Sequence, residues 1–240
     1  MQKICFLICI ALTCTFANAA SYAQRLERIF QDYQALEKPK DIQRLVELDA
    51  ELKKLEREVQ KKGIAPIFFK KKHKLIGVEG DHQSDQMVYS GKLLVEAHKI
   101  NPNSAYREQT FFSTVENKSK YGLGEMPSVG QAKKYLREFP EGIFAGEVNL
   151  ILGSFYDDKA KVLRDLSDPK YEKDYKFDCF KEYLSKDSYQ TQLVKARRSA
   201  IFHLSKAIFQ TAELAQKKRI QEELTKVKNG TSSGWYWCAD

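Results

Sequence analysis

The sequence predicts an all-α protein behind an export signal, with an N-terminal helical hairpin followed by an irregular body of helix-turn-helix units. Three observations predict it. Apolar residues recur three and four apart through most of the chain, the spacing of one helix face. Pro and Gly clusters separate those stretches, where helices stop. A pattern of amphipathic helix, proline turn and second helix recurs within the body.

The export signal comes first. Lys3 precedes an apolar run from Ile4 to Phe16, and Ala17-Asn18-Ala19-Ala20 follows. A basic start, an apolar middle and a small-residue cleavage site are the three parts of a secretory signal. The run is shorter than the about 20 residues needed to span a bilayer. A helix buried in the folded domain would rarely be followed by Ala-Asn-Ala-Ala and then a polar helix. Cys14 raises lipoprotein processing, but Thr13 before it is larger than that processing prefers. The expectation is therefore cleavage near Ala19 or Ala20, giving a periplasmic or secreted protein that is soluble or peripheral.

Of five cysteines, Cys5, Cys9 and Cys14 lie in the signal, leaving Cys179 and Cys238. In an oxidising compartment two cysteines suggest one disulfide. It would pin the C-terminal tail and add about 4 kcal/mol in the chain-entropy account. Two free thiols, or a bridge to another chain, are the alternatives. The 240-residue chain carries 40 basic and 32 acidic residues, a net charge of +8. The leader contributes only Lys3, so the excess survives its removal. A positive balance favours anionic envelope surfaces or acidic proteins, or is simply a lysine-rich solvated surface. Nucleic acid is not expected as the partner of an exported protein.

The first helix is expected over Tyr22–Leu36, with Tyr22, Leu26, Ile29, Phe30, Tyr33 and Leu36 on one stripe. Lys38-Pro39-Lys40 interrupts it, and Asp41 can cap the next helix, Ile42–Lys61. In that helix Leu45, Leu48, Leu52, Leu55 and Val59 follow heptad spacing. This seam fits an internal hairpin, or a short coiled coil with another chain. Gly63 and Pro66 end the hairpin (residues 21–63). Residues 64–85 lose the pattern and read as a loop or hinge with room for a short strand or helical turn.

The body, residues 86–228, is expected to hold helices over Ser84–Ile100, Ala105–Val115, Ser128–Phe139 and Ile143–Leu166, with Ser104 and Ser128 as caps. A less regular stretch leads to helices over Phe177–Leu184 and Tyr189–Ala215. The last continues, with a kink, to Val227, and residues 229–240 form a tail.

The body contains self-similar segments. Lys92 to Tyr106 and Lys133 to Phe144 each place an aromatic residue four positions after a proline, Pro102 and Pro140. A third, weaker copy begins at Cys179. The middle copy, Ala132-Lys-Lys-Tyr-Leu-Arg-Glu-Phe-Pro140-Glu-Gly-Ile-Phe-Ala145 through Leu152-Gly153-Ser-Phe-Tyr156, resembles tetratricopeptide-like repeats of bacterial periplasmic proteins. The outer-membrane assembly lipoprotein and the Tol-Pal-associated coiled-coil protein are of that type. The heptad helix ahead of the repeats is similar in order to the latter. The distance from Pro102 to Pro140 exceeds the standard repeat of about 34 residues. The resemblance implies stacked helix pairs whose concave face grips a peptide or partner helix. It implies no reaction and no cofactor.

On that basis the leading expectation is an exported, non-enzymatic module that binds a protein or peptide of the cell envelope. Its candidate contacts are Tyr106, Tyr135, Phe144 and Tyr156, any of which could instead be core. The tail adds Trp235 and Trp237, since aromatic clusters are rich in binding energy at interfaces. The competing role for those tryptophans is packing on the body beneath a Cys179–Cys238 bridge. An exported helical enzyme is the alternative, with Glu79, Asp81 and His82 as its site. Those residues have metal-compatible chemistry but fit no ligand spacing, so no metal is expected. A third reading is peripheral attachment to an anionic envelope surface through Lys70, Lys71, Lys72 and Lys74, beside Phe68 and Phe69. His98 and His203 are expected as surface or packing residues, and Asp157-Asp158 as a solvated helix face. Lys217-Lys218-Arg219 is expected to be exposed. Asn117-Lys118-Ser119 and Asn229-Gly230-Thr231 match the glycosylation sequon, relevant only in a eukaryotic secretory pathway.

Overall fold

The computed structural model describes residues 20–38, 40–63, 69–80, 86–115, 128–168 and 183–231. The protein is all-α, with one two-stranded sheet among the described residues. Two compact units divide the chain. The first comprises Met1–Ser113 and Lys118–Leu123, the second Thr114–Asn117 and Gly124–Asp240.

The first unit opens with α1 (residues 20–34) and α2 (Ile42–Lys62). Asp41 caps α2 by accepting from the Gln43 N–H at 2.9 Å. Gly63 closes it in the left-handed conformation at φ 61°, donating to the Gln60 and Val59 carbonyls, a conformation glycine adopts without a Cβ clash. Arg25–Glu58, Arg28–Glu51 and Arg44–Asp32 pair across the two helices, which sets them antiparallel. The heptad seam of α2 is fully buried in the unit's own core, against Tyr22, Leu26, Ile29 and Phe30. It is therefore the internal hairpin seam and not a coiled-coil surface for another chain.

The stretch expected as a hinge joins this core. A 3-10 helix, Lys71–Ile76, leads through Gly77 into β1 (Val78–Gly80). β1 pairs antiparallel with β2 (Met87–Tyr89), Val78 opposite Tyr89. Ile76, Val78, Met87 and Tyr89 are buried with the α1–α2 seam, as are Leu93 and Ala97 of α3 (Lys92–Ile100). The helix expected over Ser84–Ile100 is thus a strand and then a shorter helix. Gly91, at φ 72°, separates them, and the Met-Val-Tyr run suits a half-buried strand. α4 (Arg107–Phe112) completes the unit. Ser104 does not cap this helix, which begins only at Arg107 without a side-chain cap. The boundary expected at 64–85 accordingly falls after Ser113, because the intervening residues supply core side chains.

A row of polar residues on α2 grips β2. Asp49, Lys53, Glu56 and Gln60 recur at helical spacing. Tyr89 Oη donates to Asp49 Oδ1 at 2.7 Å, and Lys53 Nζ lies 3.2 Å from Asp49 Oδ2. The Tyr89 N–H donates to Glu56 at 2.9 Å, and Gln60 Nε2 donates to the Met87 carbonyl at 3.0 Å. A short strand leaves backbone groups unpaired, and here side chains of a helix satisfy them. Burial, reinforced by Asp49, pushes the Tyr89 phenol well above its ordinary value.

The second unit holds α5 (Val129–Glu138), α6 (Ala145–Leu166), α7 (Tyr189–Gln210) and α8 (Leu214–Asn229). Ser128 and Ser188 cap α5 and α7 by accepting from Gln131 and Thr191 N–H groups. α6 and α7 pack closely because small residues line their contact. A Cβ on Gly153 would sit 2.7 Å from Leu204 side-chain carbons, and one on Gly146 would sit 3.1 Å from the Gln210 backbone. Ala196, Ala200 and Ala207 of α7 are buried. The pairs Gly153–Leu204 and Gly146–Gln210 make these helices antiparallel.

The kinked helix expected from Tyr189 to Val227 is instead two helices. The chain reverses at residues 211–213, and Ile220, Leu224 and Val227 pack against Ala200, Leu204 and Ala207. Arg197 Nη2 donates to the Val227 and Lys228 carbonyls at 3.2 and 3.0 Å, and Arg164 Nη1 to the Gly230 carbonyl at 3.2 Å. The arginines thereby satisfy the end of α8, where carbonyls lack helical partners. Asp157 and Asp158 are buried, not on a solvated face. The helix expected at Phe177–Leu184 lies, apart from its last two residues, outside the described residues.

Candidate functional site

Among the described residues of the second unit, aromatic and titratable side chains come together where α5, α6 and α7 meet. Its base is Asn149, a buried amide on α6. Asn149 Nδ2 donates to the Ala145 carbonyl at 3.0 Å and to Gln210 Oε1 at 2.8 Å. Those two acceptors orient the amide and leave Oδ1 as an acceptor. His203 Nδ1 lies 2.8 Å from Oδ1, so Nδ1 carries the imidazole proton and Nε2 presents its lone pair. Burial, and secondarily Lys133, lower the His203 pKa to about 4. The ring is neutral at neutral pH and a weak base. Its chemistry is that of a fixed hydrogen-bond acceptor.

The His203 ring stacks on Tyr156, with centroids 5.8 Å apart and an interplanar angle of 5°. Lys133 Nζ sits 5.6 Å from the Tyr156 centroid, within range for cation–π attraction. Phe202 meets His203 edge-on at 5.1 Å and is 57% exposed. The result is a platform of aromatic surface, one cation and one neutral acceptor on a stiff helical base. Nearby, burial lowers the Lys159 pKa, and the Lys159 ammonium donates to the Tyr183 carbonyl.

The residues expected from sequence separate into different places. Tyr156 is part of the platform. Tyr135 is fully buried, packs on Phe139 at 5.2 Å and accepts from the Phe144 N–H at 3.2 Å. It is a core residue holding the α5–α6 turn, not a contact. Phe144 is half-buried at the start of α6, and Tyr106 half-buried at the start of α4 in the first unit. Trp235, Trp237, Cys179 and Cys238 lie outside the described residues, as do Asp81, His82 and Phe68. Glu79, from the same proposed enzyme site, is 3.6 Å from Lys74 Nζ.

Part of the basic patch is paired within its own unit, by Glu27 and Glu79. Lys72 pairs with Glu27 and lies 4.9 Å from the Phe30 ring centroid, Lys70 lies 4.0 Å from Glu27, and Lys74 is taken by Glu79. His73, between them, is buried, with Nε2 3.5 Å from Glu27. Burial lowers its pKa, against the pull of Glu27. His98 packs edge-on to Phe111 at 5.5 Å, the packing role expected of it. No cluster of His, Cys, Asp and Glu among the described residues could hold a metal ion. No helix among them is long and apolar enough to cross a membrane.

Lys133, Asn149 and Phe202 have no place among the candidate contacts read from the sequence, which marks His203 only as a surface or packing residue. A polar Asn149 inside the apolar run Val148–Leu152 was the available signal, since a buried amide requires partners. Nothing local marks Lys133 or Phe202. No protein-family model, curated protein or solved structure matches the chain.

Proposed function

We propose that the chain is an exported, non-enzymatic interaction module of the bacterial cell envelope, binding a protein or peptide partner through the Tyr156–Phe202–His203 platform. The observation that carries this reading is Phe202. It is a large aromatic left mostly in water on a stiff helix, beside a stacked Tyr–His pair and the Lys133 ammonium. Aromatic anchors of this kind dominate binding energy when a partner covers them. Lys133 and the His203 acceptor favour a peptide that offers a carboxylate and a hydrogen-bond donor. A tetratricopeptide-like arrangement of helix pairs, removal of the leader near Ala19 or Ala20, and a Cys179–Cys238 disulfide belong to the same proposal.

The test is site-specific photo-crosslinking in envelope preparations, with benzoylphenylalanine at position 202 and at exposed position 222 as control. A defined protein adduct from position 202 alone, lost in a Tyr156→Ala background that still folds, supports the reading. Equal adducts from both positions, or none, sink it.

A further inference from the structure

We propose that the end of the second unit formed by the α5–α6 turn and the α7–α8 reversal is a contact for an anionic lipid surface. Ile143, Phe209 and Leu214 are 80%, 83% and 81% exposed, more than any other large apolar side chain among the described residues. All three lie at this end. Gln210 Nε2 donates to the Pro140 carbonyl at 2.9 Å, and Gly146 meets the Gln210 backbone, which holds the two turns side by side.

The charges around them are arranged for an external anion. α7 contains no Asp or Glu. Lys206, Lys217, Lys218 and Arg219 enter no ion pair among the described residues. Glu138, Glu141, Glu147 and Glu213 flank the two turns, and Glu222 and Glu223 follow one turn after Lys218 and Arg219; Glu138 pairs with Lys134, and none forms an ion pair with those four cations among the described residues. Lys217 also lies in the first turn of α8, where the helix dipole disfavours positive charge.

The occupant is a membrane surface rather than a peptide because the apolar groups stand out singly from a turn (Ile143) and from helix ends (Phe209, Leu214). Protruding side chains can enter the headgroup–acyl boundary one by one while flanking cations meet lipid phosphates. The chain's overall charge of +8 has the same sign preference.

The test is co-sedimentation of the chain from Ser21 onward, omitting the lipophilic run Ile4–Phe16. One vesicle set contains phosphatidylethanolamine with phosphatidylglycerol, the other phosphatidylethanolamine with phosphatidylcholine. Binding should require phosphatidylglycerol and weaken with salt. The variants Ile143→Ser/Phe209→Ser/Leu214→Ser and Lys217→Glu/Lys218→Glu/Arg219→Glu should each bind at least roughly tenfold more weakly, with unchanged circular dichroism. Equal binding to both vesicle sets, or binding unchanged in both variants, overturns the proposal. So does benzoylphenylalanine at position 209 if it captures protein and not lipid in envelope membranes. The Tyr156–Phe202 platform can fail its own test without touching this result, since no residue is shared.

Discussion

The two units solve the same problem, burying helical faces, with opposite materials. The first uses large aliphatic side chains at heptad spacing and closes the remaining gap with a two-stranded sheet. Its exposed large apolar side chains are Leu75 and Ile100 alone among the described residues. The second brings α6 and α7 together over glycine and alanine, then leaves Ile143, Phe202, Phe209 and Leu214 in water. The first unit is organised inward, and the second carries the surface on which a binding function can rest.

The comparison breaks most directly at the α2 seam. Leu52→Ala should cost the first unit about 3 kcal/mol, since a fully buried leucine leaves a cavity. Chemical denaturation would check it, with the second unit's transition unmoved. Next in size is Tyr89→Phe, which removes the donor to buried Asp49 and should cost about 2 kcal/mol. A smaller loss in Tyr89→Phe/Asp49→Asn than in Tyr89→Phe alone would show that the Asp49 carboxylate, still beside Lys53, is what suffers from losing the hydroxyl. In the second unit Gly153→Ala should cost about 2 kcal/mol, because the new methyl meets Leu204. Thermal unfolding that shows no loss would mean α7 shifts freely, and the contrast in packing would fail.

Acid should separate the units further. The His203 pKa, about 4 in the fold, lies below its unfolded value near 6.5. The neutral ring therefore stabilises the second unit above pH ~6.5, and that contribution falls away as pH drops toward 4, on the order of 1 kcal/mol after solvent screening. His203→Gln should flatten this dependence in a pH series of melts. His73 in the first unit is shifted the same way, with Glu27 opposing, so its acid sensitivity should be weaker. The smallest expected effect on stability is that of Phe209→Ser, within about 0.5 kcal/mol as for other exposed positions. A large loss there would reassign Phe209 from a contact residue to part of the fold.

The sequence by itself determined the helical class, the α1–α2 hairpin and the caps at Asp41 and Ser128. These depend on contacts between near neighbours, where spacing and side-chain type decide the outcome. Tertiary structure alone decided the rest. Met87–Tyr89 is too short for its alternation to register, and it becomes a strand because β1 pairs with it and α2 side chains satisfy backbone groups of Met87 and Tyr89. Thr211-Ala212-Glu213 holds neither Gly nor Pro, yet the chain reverses there because folding back buries Ile220, Leu224 and Val227 against α7. Lys133, Asn149, Tyr156 and His203 meet only when three helices pack, so no local pattern could announce them. Periodicity records which face of a helix is apolar, but not which other face will cover it. That choice is made by the burial and polar satisfaction of the whole unit together.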